Sequence, residues 1–174
     1  MTAPLDQAQR ALSAARLLTR GGFPSEAVSR AYYAMFYAAR AAVNAEGSEP
    51  KTHSGVASEF GRLFVQTGRV SKDTAKLLRQ FAGERADADY EGLDLTAGEA
   101  EDALDAATRF LRETSRALGT DVPTAPAEHL TDDQKRDLVA QLTREMDQAA
   151  ENLEFEKAAE LRDSIAQIEA DLAA

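Results

Sequence analysis

The sequence predicts an all-α protein, a five-helix bundle plus a C-terminal antiparallel helical hairpin. Three observations carry that expectation. Apolar residues recur at steps of three and four along most of the chain, Gly and Pro punctuate the pattern, and no window shows the strict alternation of a half-buried strand.

The first helix is expected over about residues 5–20, where Leu5, Ala8, Leu12, Ala15 and Leu18 share a face, and Gly21-Gly22 ends it. Pro24 opens the second near its first turn and leads to about residue 45. Val28, Ala31, Met35 and Ala42 line one stripe of this helix, and Tyr32, Phe36, Ala39 and Val43 line the next. A helix so broadly apolar belongs at the centre of its domain. After the loop Gly47-Ser48-Glu49-Pro50, a third helix carries Val56, Phe60, Leu63 and Phe64, and Gly68 closes it. Ser71 caps a fourth, with Leu77, Leu78 and Phe81, and the polar stretch 85–95 breaks the period. Thr96 with Glu99 forms a capping box for the fifth, which buries Ala100, Leu104, Ala107 and Leu111.

Residues 119–130, with Pro123 and Pro126 and no helical period, read as a linker between a first domain (1–118) and a hairpin (131–174). Thr131 and Gln134 make a second capping box. Beyond it Val139, Leu142, Met146, Ala149 and Leu153 form one seam, and Ala158, Leu161, Ile165, Ile168 and Leu172 form another. A corner near Asn152 folds the two arms antiparallel. Phe155, the last aromatic ring of the chain, is expected to be buried there and to hold the hairpin together. A hairpin this short buries little by itself and calls for a partner or a second copy.

Composition narrows the function. With 44% hydrophobic and 29% charged residues the chain is globular. It has no apolar run of membrane-spanning length and no signal-like start, so no membrane partner is expected. The absence of Cys excludes disulfides and thiolate metal sites and suits a cytoplasmic location. His53 and His129 lie too far apart in sequence to promise a metal site, and no cofactor is implied. The net charge of −10 is uneven. Residues 1–118 hold 16 acidic and 15 basic side chains, whereas 119–174 hold 14 and 5. The tail repels nucleic acid, so any RNA or nucleotide contact belongs to the first domain.

Two clusters in that domain carry chemistry. Lys51, Thr52 and His53, with Arg85, Asp89 and Tyr90, would form a phosphate-binding pocket if the loop before the third helix meets the end of the fourth. A plainer account has His53 capping the third helix and Arg85 pairing with Asp89 one turn on. Arg30, Tyr33, Tyr37 and Arg40 fall at i, i+3, i+7 and i+10 on one face of the second helix. That face suits a homodimer seam, or half-buried tyrosines with snorkelling arginines, ahead of the alternative of base stacking between cations.

The run Leu142-Thr-Arg-Glu-Met146 through Asn152-Leu-Glu-Phe155-Glu156 to Arg162-Asp163-Ser-Ile165 resembles the UVR motif, a docking hairpin of excision-repair nuclease subunits and some Clp protease partners. The resemblance implies a protein partner from one of those machineries, met by Leu153, Phe155, Glu156 and Arg162. The blocks Arg30-Ala-Tyr32-Tyr33-Ala-Met-Phe36, Lys51-Thr52-His53-Ser54-Gly55-Val56, Phe64-Val65-Gln-Thr67-Gly68 and Arg85-Ala-Asp-Ala-Asp89-Tyr90 resemble a HEPN domain across residues 1–118. This second resemblance implies a dimeric helical bundle. It is either a ribonuclease toxin paired with a nucleotidyltransferase or a binder of nucleotide or RNA. Active members follow an Arg with a His four to six residues later; after Arg85 those positions hold Asp89 and Tyr90, and the imidazole is missing. The expected role is therefore an adaptor or accessory protein. A ribonuclease toxin and a ligand-free interaction scaffold stand as alternatives.

Overall fold

The computed structural model describes residues 5–91, 95–120, 131–153 and 155–174, with the side chains of 84–91, 156, 157 and 160 outside that description. Among those residues seven α-helices run in order: α1 (Asp6–Gly21), α2 (Pro24–Ala45), α3 (His53–Phe60), α4 (Lys72–Glu91), α5 (Ala97–Ala117), α6 (Asp132–Glu151) and α7 (Phe155–Ala173). No strand occurs among the described residues.

The central place of α2 follows from its sequence. Ala27, Ala31, Ala34, Ala38, Ala39 and Ala42 are all buried, and these small side chains let α1 and α5 pack closely on two sides while α3 and α4 close a third. The aromatic centre of the bundle is a stack. Phe60 lies 5.1 Å from Phe64 and 5.2 Å from Phe110 between ring centroids, and all three rings are sealed from water.

Local chemistry sets most of the ends. Gly22, at φ +81°, takes the left-handed turn that closes α1, and Pro24 starts α2. Thr96 with Glu99, and Thr131 with Gln134, complete both expected capping boxes. Ser71 Oγ accepts from the Thr74 amide. Glu113 on α5 reinforces that end of α4 by accepting from the Ser71 amide (3.1 Å) and the Thr74 hydroxyl (2.7 Å).

Four sequence expectations need correction. Thr52, not His53, caps α3: its hydroxyl accepts from the Gly55 amide at 3.0 Å. The third helix does not stay α-helical but widens into a π turn, Gly61–Val65, closed by Gln66 N–H donating to the Gly61 carbonyl. The polar stretch after residue 85 does not end the fourth helix, which continues to Glu91, because Ala, Glu and Arg favour helix with or without an apolar face. Phe155 is not buried. It is 66% exposed and Leu153 is 72% exposed, since both sit at the corner, beyond the reach of the seam.

The seam itself is filled by Leu138, Leu142, Ala149, Leu161, Ile165 and Ile168, with Val139 and Met146 partly covered. At the open end Lys135 bonds Asp171 at 2.6 Å and ties the two arms together. The linker positions 121–130 lie outside the described residues. The hairpin touches the bundle sparsely, through α7 along α1, where Gln167 approaches Gly21, and through an ion pair from α6 to α2.

Candidate functional site

The loop of one sequence cluster and the α2 face of the other meet on one side of the bundle. The loop before α3 brings His53 onto α2, where its ring lies flat on Phe36 with centroids 3.9 Å apart and planes 11° apart. The Tyr32 hydroxyl and His53 Nδ1 share a hydrogen bond of 2.9 Å, and Tyr33 meets the imidazole edge-on. Tyr32 and Phe36 are buried, so they act as a fixed floor beneath an exposed imidazole. Lys51, two residues earlier, is exposed beside this loop.

The helical spacing of Arg30, Tyr33, Tyr37 and Arg40 continues the surface along α2. Tyr33 and Tyr37 stack at 5.7 Å and are half-buried. The Arg40 guanidinium stands 5.2 Å above Tyr37 and 5.5 Å above Phe36, and it donates to Gln7 on α1 at 2.9 Å. Arg30 stands 5.1 Å over Tyr33. Cations poised over π faces are attracted by the ring quadrupole. Burial pushes the Tyr37 phenol above its ordinary range, so it remains a neutral hydrogen-bond donor through any physiological pH.

Arg30 differs from Arg40 in one respect that periodicity did not reveal. It is almost wholly buried, and its Nη2 donates to Glu145 of α6, a residue 115 positions away. Its Nε has no hydrogen-bond partner among the described residues. Glu145 also receives a bond from Gln141 at 3.2 Å. Sequence reading missed Glu145 because an acidic residue beside a seam looks like every other solvated acid of this tail.

The remaining candidates fall elsewhere. Arg85, Asp89 and Tyr90 belong to the last turns of α4 by their backbone, and their side chains lie outside the described residues. The Glu156 side chain does too. Leu153 and Phe155 crown the hairpin corner, and Leu153 holds φ +64°, an uncommon setting for a side chain with a Cβ. Arg162 is not at that corner. It lies seven residues along α7, about 10 Å away at 1.5 Å per residue, and its guanidinium folds onto the adjacent Asp163. Among the described residues no cluster of acidic and imidazole groups could hold a metal ion, and no helix is long and apolar enough to cross a membrane.

An all-helical bundle with an aromatic and cationic face, joined to an acidic antiparallel hairpin, defines the class of protein. Residues 1–117 match the model of the HEPN domain, and residues 136–171 match that of the UvrB/uvrC motif. The chain belongs to the HEPN family and carries a UvrB/uvrC motif at its C-terminal side. Over 114 residues it is 34% identical to a Methanocaldococcus jannaschii protein named "Putative toxin MJ0605", a match covering 66% of this chain and 85% of that one. A second protein of that organism, "Putative toxin MJ0142", is 31% identical over 115 residues, covering 66% and 78%. A "UPF0332 protein" of Thermotoga maritima is 34% identical over 119 residues, covering 64% and 90%.

Proposed function

We propose that this protein is an adaptor whose bundle associates with a nucleotide or RNA while its hairpin docks on a protein partner of the excision-repair or Clp machinery. The observation that carries the reading is the hairpin corner. Leu153 and Phe155 are the large apolar side chains left in water among the described residues, and only one residue separates them in the chain. Apolar groups grouped at a protruding corner are the usual anchor of a protein interface, where an aromatic side chain contributes most. The bundle half of the proposal rests on the rings of Tyr33, Tyr37 and His53, with the Arg40 cation over Tyr37, an arrangement that suits a base and its phosphate. Capture of purified excision-repair and Clp components by the full chain, and its loss in Phe155→Ala with helicity intact, tests the docking role. Capture that survives this change refutes it.

The names of two relatives favour a second reading, a toxin, which the HEPN resemblance would make a ribonuclease paired with a nucleotidyltransferase. It requires Arg85 to work without the imidazole that follows it in active family members, with Asp89, Tyr90 or His53 moving the proton instead. RNA cleavage by the wild type that disappears in Arg85→Ala, with folding unchanged, would establish this reading over the adaptor. His53→Ala would then show whether the imidazole on α2 supplies the base. Light scattering on the intact chain tests the dimer that either reading expects.

A further inference from the structure

We infer that Glu145 is a built-in competitor for the ligand face of α2: the hairpin carboxylate occupies the anion position at Arg30, and a phosphate-bearing ligand must displace the hairpin to bind. The inference deepens the proposed nucleotide or RNA association and rests on it.

Four observations meet at this contact. Arg30 is 3% exposed, so water reaches little of the guanidinium, and the carboxylate that pairs with it comes from the opposite module of the chain. The fork is half used. Glu145 takes Nη2 alone, and Nε is buried with no partner among the described residues. A guanidinium is built to grip two oxygens at once, and a buried donor left idle is costly. A phosphate, with its several oxygens, can take both Nε and Nη2, where the carboxylate seated as it is takes one. Exchange of Glu145 for phosphate therefore improves the bonding of Arg30.

The position is also the right one. Arg30 stands over Tyr33, and Tyr33 stacks on Tyr37, so an anion at Arg30 would lie at the end of the ring surface on which a base would stack. The Glu145 charge lies close enough to help keep the Tyr37 phenol protonated. Finally, the hairpin is suited to letting go. Its contacts with the bundle are sparse beside those inside each module, and residues 119–174 carry a net charge of −9. An acidic arm seated on a cationic aromatic face competes with nucleic acid for the same charge.

The hairpin and the ligand thus exclude each other at Arg30. Removing the carboxylate raises the fraction of molecules whose face is open, and apparent affinity rises by the same factor. Ligand binding in turn frees the hairpin, because such coupling is reciprocal.

The test uses the full chain and two probes, a short fluorescein-labelled single-stranded RNA read by anisotropy and adenosine monophosphate read by calorimetry, at one fixed ionic strength. Glu145→Gln and Glu145→Ala should tighten binding by about tenfold, within the range usual for coupled sites. Tighter binding of the RNA alone identifies a polymer ligand, and of both probes a mononucleotide. As the chain contains no Cys, dyes placed through Lys76→Cys and Gln148→Cys report hairpin release directly. Transfer between them should fall when the probe is added and should start low in Glu145→Ala. If Tyr37→Ala weakens binding while both Glu145 variants bind as wild type and energy transfer is unmoved by the probe, the competitor role is wrong and the ligand face stands. If Tyr37→Ala and Arg40→Ala leave affinity unchanged, or neither probe binds any variant, the ligand face is wrong and the competitor falls with it.

Discussion

The bundle and the hairpin use phenylalanine in opposite ways. Phe60, Phe64 and Phe110 stack at the centre of the bundle with 1% exposure or less, whereas Phe155 stands 66% exposed at the hairpin corner. The bundle satisfies its apolar surface within the chain. The hairpin satisfies a thin seam of Leu, Ile and Ala and leaves its largest side chain outside. One module encloses these rings; the other leaves its ring in water. A residue's size therefore does not reveal whether it stabilises the fold or serves an encounter. The layer of side chains around it does.

The comparison breaks most visibly at Phe110. Phe110→Ala removes the ring that joins α5 to the stack and should cost about 3–5 kcal/mol, read as a lower urea midpoint of the bundle. Leu142, fully buried in the seam, is the hairpin's counterpart. Leu142→Ala should cost about 2–4 kcal/mol and appear chiefly as lost helical ellipticity, since a two-helix seam has few neighbours to share the loss. A Leu142→Ala protein as stable as wild type would mean that the hairpin is not held by its seam.

A smaller effect is expected at Glu113, and it depends on pH. Partial burial raises its carboxyl pKa, but bonds from Thr74 and Ser71 and the charge of Arg109 outweigh that, so the net direction is downward. A carboxyl depressed on folding contributes stability that is present above its unfolded value and is lost as pH falls through its lower folded value. Glu113→Gln should thus lose about 1 kcal/mol near neutrality, a typical net worth for such bonds at a half-exposed site. The difference from wild type should shrink to nothing in acid. A gap that persists at low pH would point to packing instead. Phe155→Ala should have the smallest effect on folding, below about 0.5 kcal/mol as for surface changes generally. Melting that drops by several degrees would show that the corner ring is structural after all.

Much of the fold was legible because its signals are local. Pro24, Gly22 and the pairs Thr96–Glu99 and Thr131–Gln134 act within one turn of the chain, and their chemistry is complete in four residues. The breadth of apolar positions on α2 likewise revealed its central place. The π turn was not legible, since apolar spacing at Val56, Phe60 and Phe64 fits either a normal or a widened turn. Polar residues after Arg85 hid the continuing helix because amphipathicity, not propensity, was the signal followed. At the candidate site, spacing placed Arg30, Tyr33, Tyr37 and Arg40 together correctly on one face. It could not join His53 to that face across a loop, nor Glu145 to Arg30 across 115 positions. Those contacts are made by packing, which no short window contains.

The left-handed backbone at Leu153 has a consequence for the speed and economy of encounter. Such a conformation is disfavoured for any residue bearing a Cβ, by roughly 1–2 kcal/mol, and Gly or Asn would sit there at less cost. With α6 ending two residues before it, at Glu151, and α7 starting two residues after it, at Phe155, the corner is short. Backbone so constrained would have little freedom left to lose if a partner covered it. Leu153 would then be offered from a short fixed turn rather than from a searching arm.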